Sequence, residues 1–337
     1  NKKSISLDIH TREGKKIVSD LCFSADVFIL NMRPGTEKQF GLDYETLAKI
    51  NEKLIYVSIS GFGSAGPDSG LPGYDIVLQS KSGVLSLRKF PDGTPVPYPI
   101  MFSDMSGCMT LSYSVMLALW DREKTGKGQK VECSLLNQAL AMQMQQLIWV
   151  EKDQGDLPGN APSAMSSCYQ CSDSTWIAIV VMESNQWAGL CRVLDLEHMI
   201  DDPKFNSYQG RSENALDLGE ILGGIFPTND SSYWIAKLHN EGIPSSIVQE
   251  RDELLVDDQI LSNKMIVSDT HPHVGNLSYV MPPFKMSDHG YIDSARLPAP
   301  LLGEHTKEIL QSLGYKEKEI QSLIEKNIVR TDSEWLS

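Results

Sequence analysis

Basic residues are scarce in this sequence. Among 337 residues, 30 Lys and Arg stand against 44 Asp and Glu, a formal net charge of −14. Binding nucleic acid or an anionic membrane over a broad surface takes Lys and Arg against phosphate, so this balance excludes both as general roles. An anionic ligand would need a local basic pocket. Long apolar runs are missing as well. The longest, around 115–120, falls far short of the roughly 20 residues a membrane span requires, and no signal peptide is legible. Histidine is limited to seven positions and cysteine to six. The cysteines (Cys22, Cys108, Cys133, Cys168, Cys171, Cys191) are scattered, four of them in apolar or helical contexts. That distribution favours reduced thiols and a cytoplasmic protein. Cys168-Tyr-Gln-Cys171 is a lone C-x-x-C, with no second pair or His partner at metal-site spacing. His271-Pro-His273 lacks a third ligand nearby, and His305 sits at a helix start behind Gly303-Glu304. These read as structural, and no metal is expected. The G-x-S-x-G of α/β-hydrolases is absent.

What is present suffices for a large core. Hydrophobic residues make up 41% and charged residues 22%, the balance of a globular protein, and the length suits one large or two modest domains. SISLD at 4–8 reads as a strand, and Thr11 caps a helix running to about Ala25. DVFIL at 26–30 and LIYVSIS at 54–60 are further strands, continuously apolar as buried parallel strands are. Strands alternating with helices argue for βαβ units and a parallel sheet. GFGSAG at 61–66 matches G-x-G-x-x-G, but Pro67 and then DSGLPG follow. No helix opens there to carry a pyrophosphate, so the motif fails as a dinucleotide site. YDIVLQSKSGVLS at 74–86 reads as a helix with Gly83 inside it. Beyond a loop at 155–167, strands at 176–181, 243–249, 265–268 and 277–280 mix with helices as in an α+β domain. Two amphipathic helices, 304–313 and 316–327, close the chain. The expected divisions are 1–155, 156–296 with linkers, and 297–337 returning to the first. The chain opens at Asn1 almost directly on a strand, and the N-terminal part of a larger domain is expected to be absent.

The chain is organised around 98–136, YPIMFSDMSGCMTLSYSVMLALWDREKTGKGQKVECSLL. It reads as a short strand, a carboxylate, a long helix, a glycine turn, a strand, and a helix continuing from Ser134 to about Asp153. The long helix is apolar on most faces, which predicts burial. Ser103 or Asp104 at its start suits an N-cap. Asp104 also suits a nucleophile. A carboxylate can attack an activated acyl group and divide one difficult transfer into two easier ones, and free amides at a helix start could bind the developing oxyanion. The residues alone leave both readings open.

Several stretches together resemble the family III CoA-transferases, of the CaiB/BaiF, formyl-CoA and carnitine CoA-transferase type. They are NMRPG at 31–35, YVSISGFGSAGP at 56–67, PGYD at 72–75, the Asp104 helix with TGKGQKVECSLL, and LPAPLLGEHTKEIL at 297–310. They span nearly the whole chain in family order. The resemblance implies an α/β fold: a Rossmann-like, parallel-sheet, CoA-binding large domain, incomplete at its N-terminus, joined to a smaller α+β domain. It implies an interlocked homodimer acting on acyl-CoA and carboxylate small molecules. No cofactor is bound permanently, and coenzyme A enters as its ester. Asp104 is then the nucleophile, passing through an aspartyl–acyl anhydride and an aspartyl–CoA thioester. Asn31, Met32 and Arg33 match the turn holding the nucleotide part of CoA. Leu7, Asp8, Ile9 and His10 match another CoA-lining segment, and Tyr74 and Asp75 the one facing pantetheine and thioester. An Arg of the family's phosphate site falls at Gln39, where the neighbouring Lys38 is expected to substitute. Gly159-Asn-Ala-Pro-Ser-Ala164 occupies the place of a glycine-rich covering loop. Two rivals remain. An acyl-CoA racemase or epimerase of the same family needs a His before the Asp of PGYD; Tyr74 stands there, and a phenol, titrating near about pH 10, matches that base poorly. A non-catalytic CoA-ester-binding partner subunit would keep the fold without turnover. Methionines at 142–144 and 265–286 point to an adaptable apolar acyl pocket.

Overall fold

An apolar strand (VFIL), a largely apolar one (IYVSIS) and a mixed one (KVECS) build the sheet that positions the site. The structure, a computed structural model, describes residues 1–145, 147, 163–287 and 297–331. They fall into two compact units, Asn1–Gly159 with Ser294–Ser337, and Asn160–Asp293.

The first unit begins with β1 (Ser6–Leu7), α1 (Arg12–Ser24) and β2 (Val27–Leu30). Thr11 caps α1, its side chain accepting from Gly14 N–H. After α2 (Thr36–Phe40) and α3 (Tyr44–Ile50) comes β3 (Ile55–Ser60). Leu54, Ile55, Tyr56 and Val57 are all buried in succession, as expected of a central strand covered on both faces. Then follow α4 (Asp75–Lys81), α5 (Phe102–Thr125), β4 (Lys130–Ser134) and α6 (Leu135–Ala141). β2 and β4 both pair parallel with β3, giving the expected parallel sheet in the order β2-β3-β4. α5 lays Leu111, Val115, Ala118 and Leu119 against Ile55 and Val57, and α1 and α3 pack with one another.

Four local expectations are corrected. The segment before α5 forms no strand, and the helix begins two residues before Asp104. The predicted 74–86 helix ends at Lys81; Gly83, at φ +82°, turns the chain into a short 3-10 segment, Val84–Leu87. α6 ends at Ala141, and most of its expected extension lies outside the described residues. α5 is not buried all round. Its sheet-facing side is covered, while Met105, Met109, Tyr113, Met116 and Trp120 are each at least half exposed in the single chain.

The second unit holds an antiparallel sheet of β5 (Ser166–Gln170), β6 (Trp176–Val180) and, after its helices, β7 (Ser245–Ile247). Between β6 and β7 run α7 (Ser184–Val193), α8 (Tyr208–Glu213), α9 (Ala215–Ile225) and α10 (Ser231–Asn240). Their core joins Ile177 and Ile179 to Trp187, Leu190, Leu222, Phe226, Trp234 and Leu238. Fully burying each such side chain stabilises by about 1.5–3 kcal/mol. β5 carries Cys168, exposed, while Cys171 just beyond the strand is buried; both are free thiols. After α11 (Asp258–Ser262), a hairpin of β8 (Ile266–His271) and β9 (Gly275–Val280) closes the unit. His271 Nδ1 accepts from His273 N–H at 3.1 Å in its turn.

The chain then supplies α12 (Thr306–Ser312), α13 (Glu317–Glu325) and β10 (Val329–Arg330). β10 pairs antiparallel with β1. The first predicted strand therefore stands outside the parallel sheet, because its apolar partners are Ile17, Leu310, Ile320 and Val329 of α1 and the closing segments. His305 is structural: Ser4 N–H donates to its Nδ1 at 3.2 Å. Among the described residues no helix is long and apolar enough to cross a membrane.

Candidate active site

The parallel strands deliver their carboxyl ends to one side. β2 runs into Asn31, β3 into Gly61, and β4 into Leu135. Open α/β sheets bind ligands at this end. A cavity of about 510 Å³ opens here, and its wall includes Asn31, Met32, Arg33, Gly61, Gly73, Tyr74, Asp104, Cys108 and Leu135. Its volume lies in the range of small-molecule sites.

Two backbone contacts shape it. A Cβ on Gly61 would lie 2.6 Å from Gly73 Cα, and one on Gly73 would lie 2.5 Å from Gly61 Cα. Only glycines let these loops touch. The glycine at the end of β3 thus serves a backbone crossing, in a stretch that merely resembles a dinucleotide fingerprint. One turn after Asp104, a Cβ on Gly107 would stand 3.1 Å from Leu135 Cδ2 and 3.4 Å from Ile59 Cδ1. α5 therefore approaches β3 and α6 closely just behind the carboxylate.

Asp104 is not the N-cap. The cap position is Met101, which offers no side-chain acceptor, and Asp104 lies in the first turn. Asp75 Oδ1, from α4, accepts from Ser103 N–H at 2.7 Å and Asp104 N–H at 3.2 Å. Its Oδ2 accepts from Gln79 Nε2 at 2.5 Å, and Gln79 Oε1 accepts from Tyr98 N–H at 3.2 Å. The amides of Ser103 and Asp104 are therefore occupied and not open to an oxyanion, contrary to the expectation for this helix start. Burial, and then the negative charge of Asp75, hold the Asp104 carboxyl above the usual carboxylate range. A carboxylate that gains basicity in this way also gains nucleophilic strength once ionised.

The other expected site residues separate into groups. Asn31, Met32, Arg33 and Tyr74 share the cavity with Asp104. Lys38 lines a neighbouring cavity of about 390 Å³ that shares Met32, Pro34 and Ser60 with the first. That neighbour is rich in acid, with Glu37, Asp43, Glu45 and Glu132 in its wall. Gln39 is exposed, its carbonyl accepting from Lys15 Nζ at 2.8 Å. His10 stacks edge-on against Phe40 at 5.1 Å, so the 7–10 segment meets the end of α2. Leu7 packs in the core of the closing segments, Asp8 Oδ1 accepts from His10 N–H at 2.9 Å, and Ile9 is half-buried. None of these four lines the Asp104 cavity. Asp75 does not line it either; its carboxylate is turned into the start of α5. Most of the 159–164 stretch lies outside the described residues. Sequence reasoning passed over Cys108, although its spacing of four from Asp104 puts both on one helix face.

The family described as CoA-transferase family III matches residues 1–306. The succinyl-CoA:glutarate CoA-transferase of Mus musculus is 31% identical, the match covering 96% of this chain and 75% of the mouse protein. The (R)-2-hydroxy-4-methylpentanoate CoA-transferase of Clostridioides difficile is 28% identical over 98% of this chain and 83% of its own length. Among solved structures, a CAIB/BAIF family protein from Brucella suis superposes with a TM-score of 0.78 at 27% identity, covering 93% of this chain and 82% of that one. With strand ends, cavity and carboxylate arranged as above, the chain belongs to the family III CoA-transferases and is a CoA-transferase.

Proposed function

We propose that the protein moves CoA from an acyl-CoA donor to a carboxylic acid through covalent intermediates on Asp104. The carboxylate attacks the thioester carbonyl and expels CoA thiolate, forming an aspartyl–acyl anhydride. The thiolate attacks the aspartyl carbonyl of that anhydride, releasing the donor's acid and leaving an aspartyl–CoA thioester. The acceptor carboxylate attacks this thioester and expels the thiolate again. The thiolate finally attacks the acceptor's acyl carbonyl, giving the new acyl-CoA and restoring Asp104. Electrons and atoms balance without redox chemistry. The observation that carries the reading is the Asp104 carboxyl itself: part-buried, raised, and facing a cavity beside Asn31, Arg33 and Tyr74.

In this reading Arg33 is the cation that meets an anionic part of the ligand, and Lys38 serves from the adjoining cavity. Met32, Pro34, Ile59, Leu71 and Leu135 give the cavity an apolar wall, which suits an aliphatic acyl chain. Met142 and Met144 are exposed and stand outside that wall, so they lend this no support. Relatives whose names specify glutarate and a branched hydroxy acid set the acceptor panel. A racemase is less well supported, since Tyr74 stands where its His would be.

A second copy of the chain covers the exposed apolar face of α5, and the homodimer works in the cytosol, where six free cysteines stay reduced. The functional test follows transfer from a panel of acyl-CoA donors to these acids. Asp104→Ala is expected to lower kcat by at least about 10³-fold. Undiminished transfer by that variant would overturn the reading.

A further inference from the structure

We infer that Asp75 is a positioning residue: its carboxylate pins the first turn of α5 and so holds Asp104 against the cavity. The inference rests on the reading of Asp104 as the nucleophile. It departs from the expectation that Asp75 contacts the CoA ester.

α5 lacks a cap of its own, since Met101 provides no side-chain acceptor. An uncapped helix start frays, and fraying would displace a residue in the first turn. Asp75 supplies the missing acceptor from another helix. One oxygen takes the Ser103 and Asp104 amides, and the other takes Gln79 Nε2. Gln79 in turn holds Tyr98 N–H, so the segment leading into α5 is tied to the same pair. Asp75 also occupies the first turn of α4. The carboxylate thus ties the start of α5 to the start of α4. At 9% exposure and outside the cavity wall, Asp75 reaches a substrate only through Asp104.

The arrangement has an electrostatic side. Among the described residues, the charged and titratable groups facing Asp104 are Asp75 from α4, Arg33 from the loop after β2, Tyr74 at the start of α4, and Cys108 on α5 itself. Asp75 alone among these adds negative charge behind the nucleophile, which, after burial, keeps its carboxyl raised. Asp75→Asn retains an acceptor for the two amides, removes the charge, and replaces the oxygen that accepts from Gln79 Nε2 by a donor. Asp75→Ala removes both the acceptor and the charge.

The experiment compares wild type, Asp75→Asn and Asp75→Ala by steady-state kinetics across pH. It also follows the Asp104 carboxyl by ¹³C NMR of protein labelled at aspartate, assigned with Asp104→Asn. Expected for Asp75→Asn is a Michaelis constant within about twofold of wild type, a kcat lower by about tenfold or more, and a titration of Asp104 moved to lower pH. Asp75→Ala is expected to lose more in kcat than Asp75→Asn. A raised Michaelis constant with unchanged kcat would mark Asp75 as a ligand contact and overturn the inference, as would an unmoved Asp104 titration. The NMR titration needs no turnover, and Asp75→Asn keeps the cap, so a misfolded alanine variant does not decide the matter. Hydroxylamine trapping separates the two levels. Wild type with no hydroxamate on Asp104 refutes the nucleophile reading. Wild-type trapping with equally fast trapping in both Asp75 variants refutes only the positioning role.

Discussion

Asp104 ionises against two influences, loss of solvent and the neighbouring Asp75 charge. Its folded pKa is raised above the unfolded value, so the protonated form is favoured by folding. The stabilising contribution is fully present below the unfolded pKa and is lost as pH rises through the folded pKa. At neutral pH the ionised carboxylate therefore costs stability. Asp104→Asn is expected to raise the melting temperature at pH 7, and this gain should vanish as pH falls below the carboxylate range. Calorimetric scans of both proteins from pH 7 to pH 3 check this; an equal or lower melting temperature for the variant at pH 7 contradicts it. In the sequence, the place of Asp104 at the start of a long apolar helix leaves cap and nucleophile both open, and only the resemblance of the surrounding stretches to the family III CoA-transferases selects the nucleophile. Its partners are not legible there. Asp75 lies 29 residues away, and a cap donated from another helix leaves no local spacing to read. Gln79 shows only as a polar residue on a helix face that proves to be buried.

At the scale of the element, the loops at the strand ends depend on the Gly61–Gly73 contact. Gly73→Ala is expected to force them apart and to cost about 1–3 kcal/mol, as overpacking does, with a raised Michaelis constant for the CoA ester. Urea unfolding and initial-rate kinetics test both parts; an unchanged midpoint with unchanged kinetics would contradict the role given to this crossing. The G-x-G-x-x-G pattern was rejected from sequence on its context, and the rejection is understandable structurally. The chain after Gly66 turns through Asp68–Leu71 without opening a helix. Apolar continuity and βαβ alternation point to a parallel sheet, and the order β2-β3-β4 comes from the structure. They do not point to the pairing of β1 with β10, because the partners are more than 300 residues apart and each strand is only two residues long.

At the scale of the whole molecule, apolar character alone misjudged α5. A helix that is apolar on opposite sides needs two partners, and among the described residues the sheet provides only the first. Met109, Met116 and Trp120 remain 62–65% exposed, a patch of the kind that marks an interaction surface. Pairing of two copies through this face predicts that Met109→Glu with Met116→Glu yields monomers. Sedimentation velocity reads this directly; a wild-type monomer, or a double variant that stays dimeric, contradicts the pairing. A net charge of −14 leaves few cations for an anionic ligand, which concentrates attention on Arg33 in the wall of the Asp104 cavity. The central claim concerns the covalent bond on Asp104, and one measurement reaches it. The protein is mixed with a panel of acyl-CoA esters, quenched with hydroxylamine, digested, and analysed by mass spectrometry. A hydroxamate on the peptide carrying Asp104, absent from Asp104→Ala, is the predicted result. CoA-ester binding and transfer with no modification of that peptide for any ester would contradict the account.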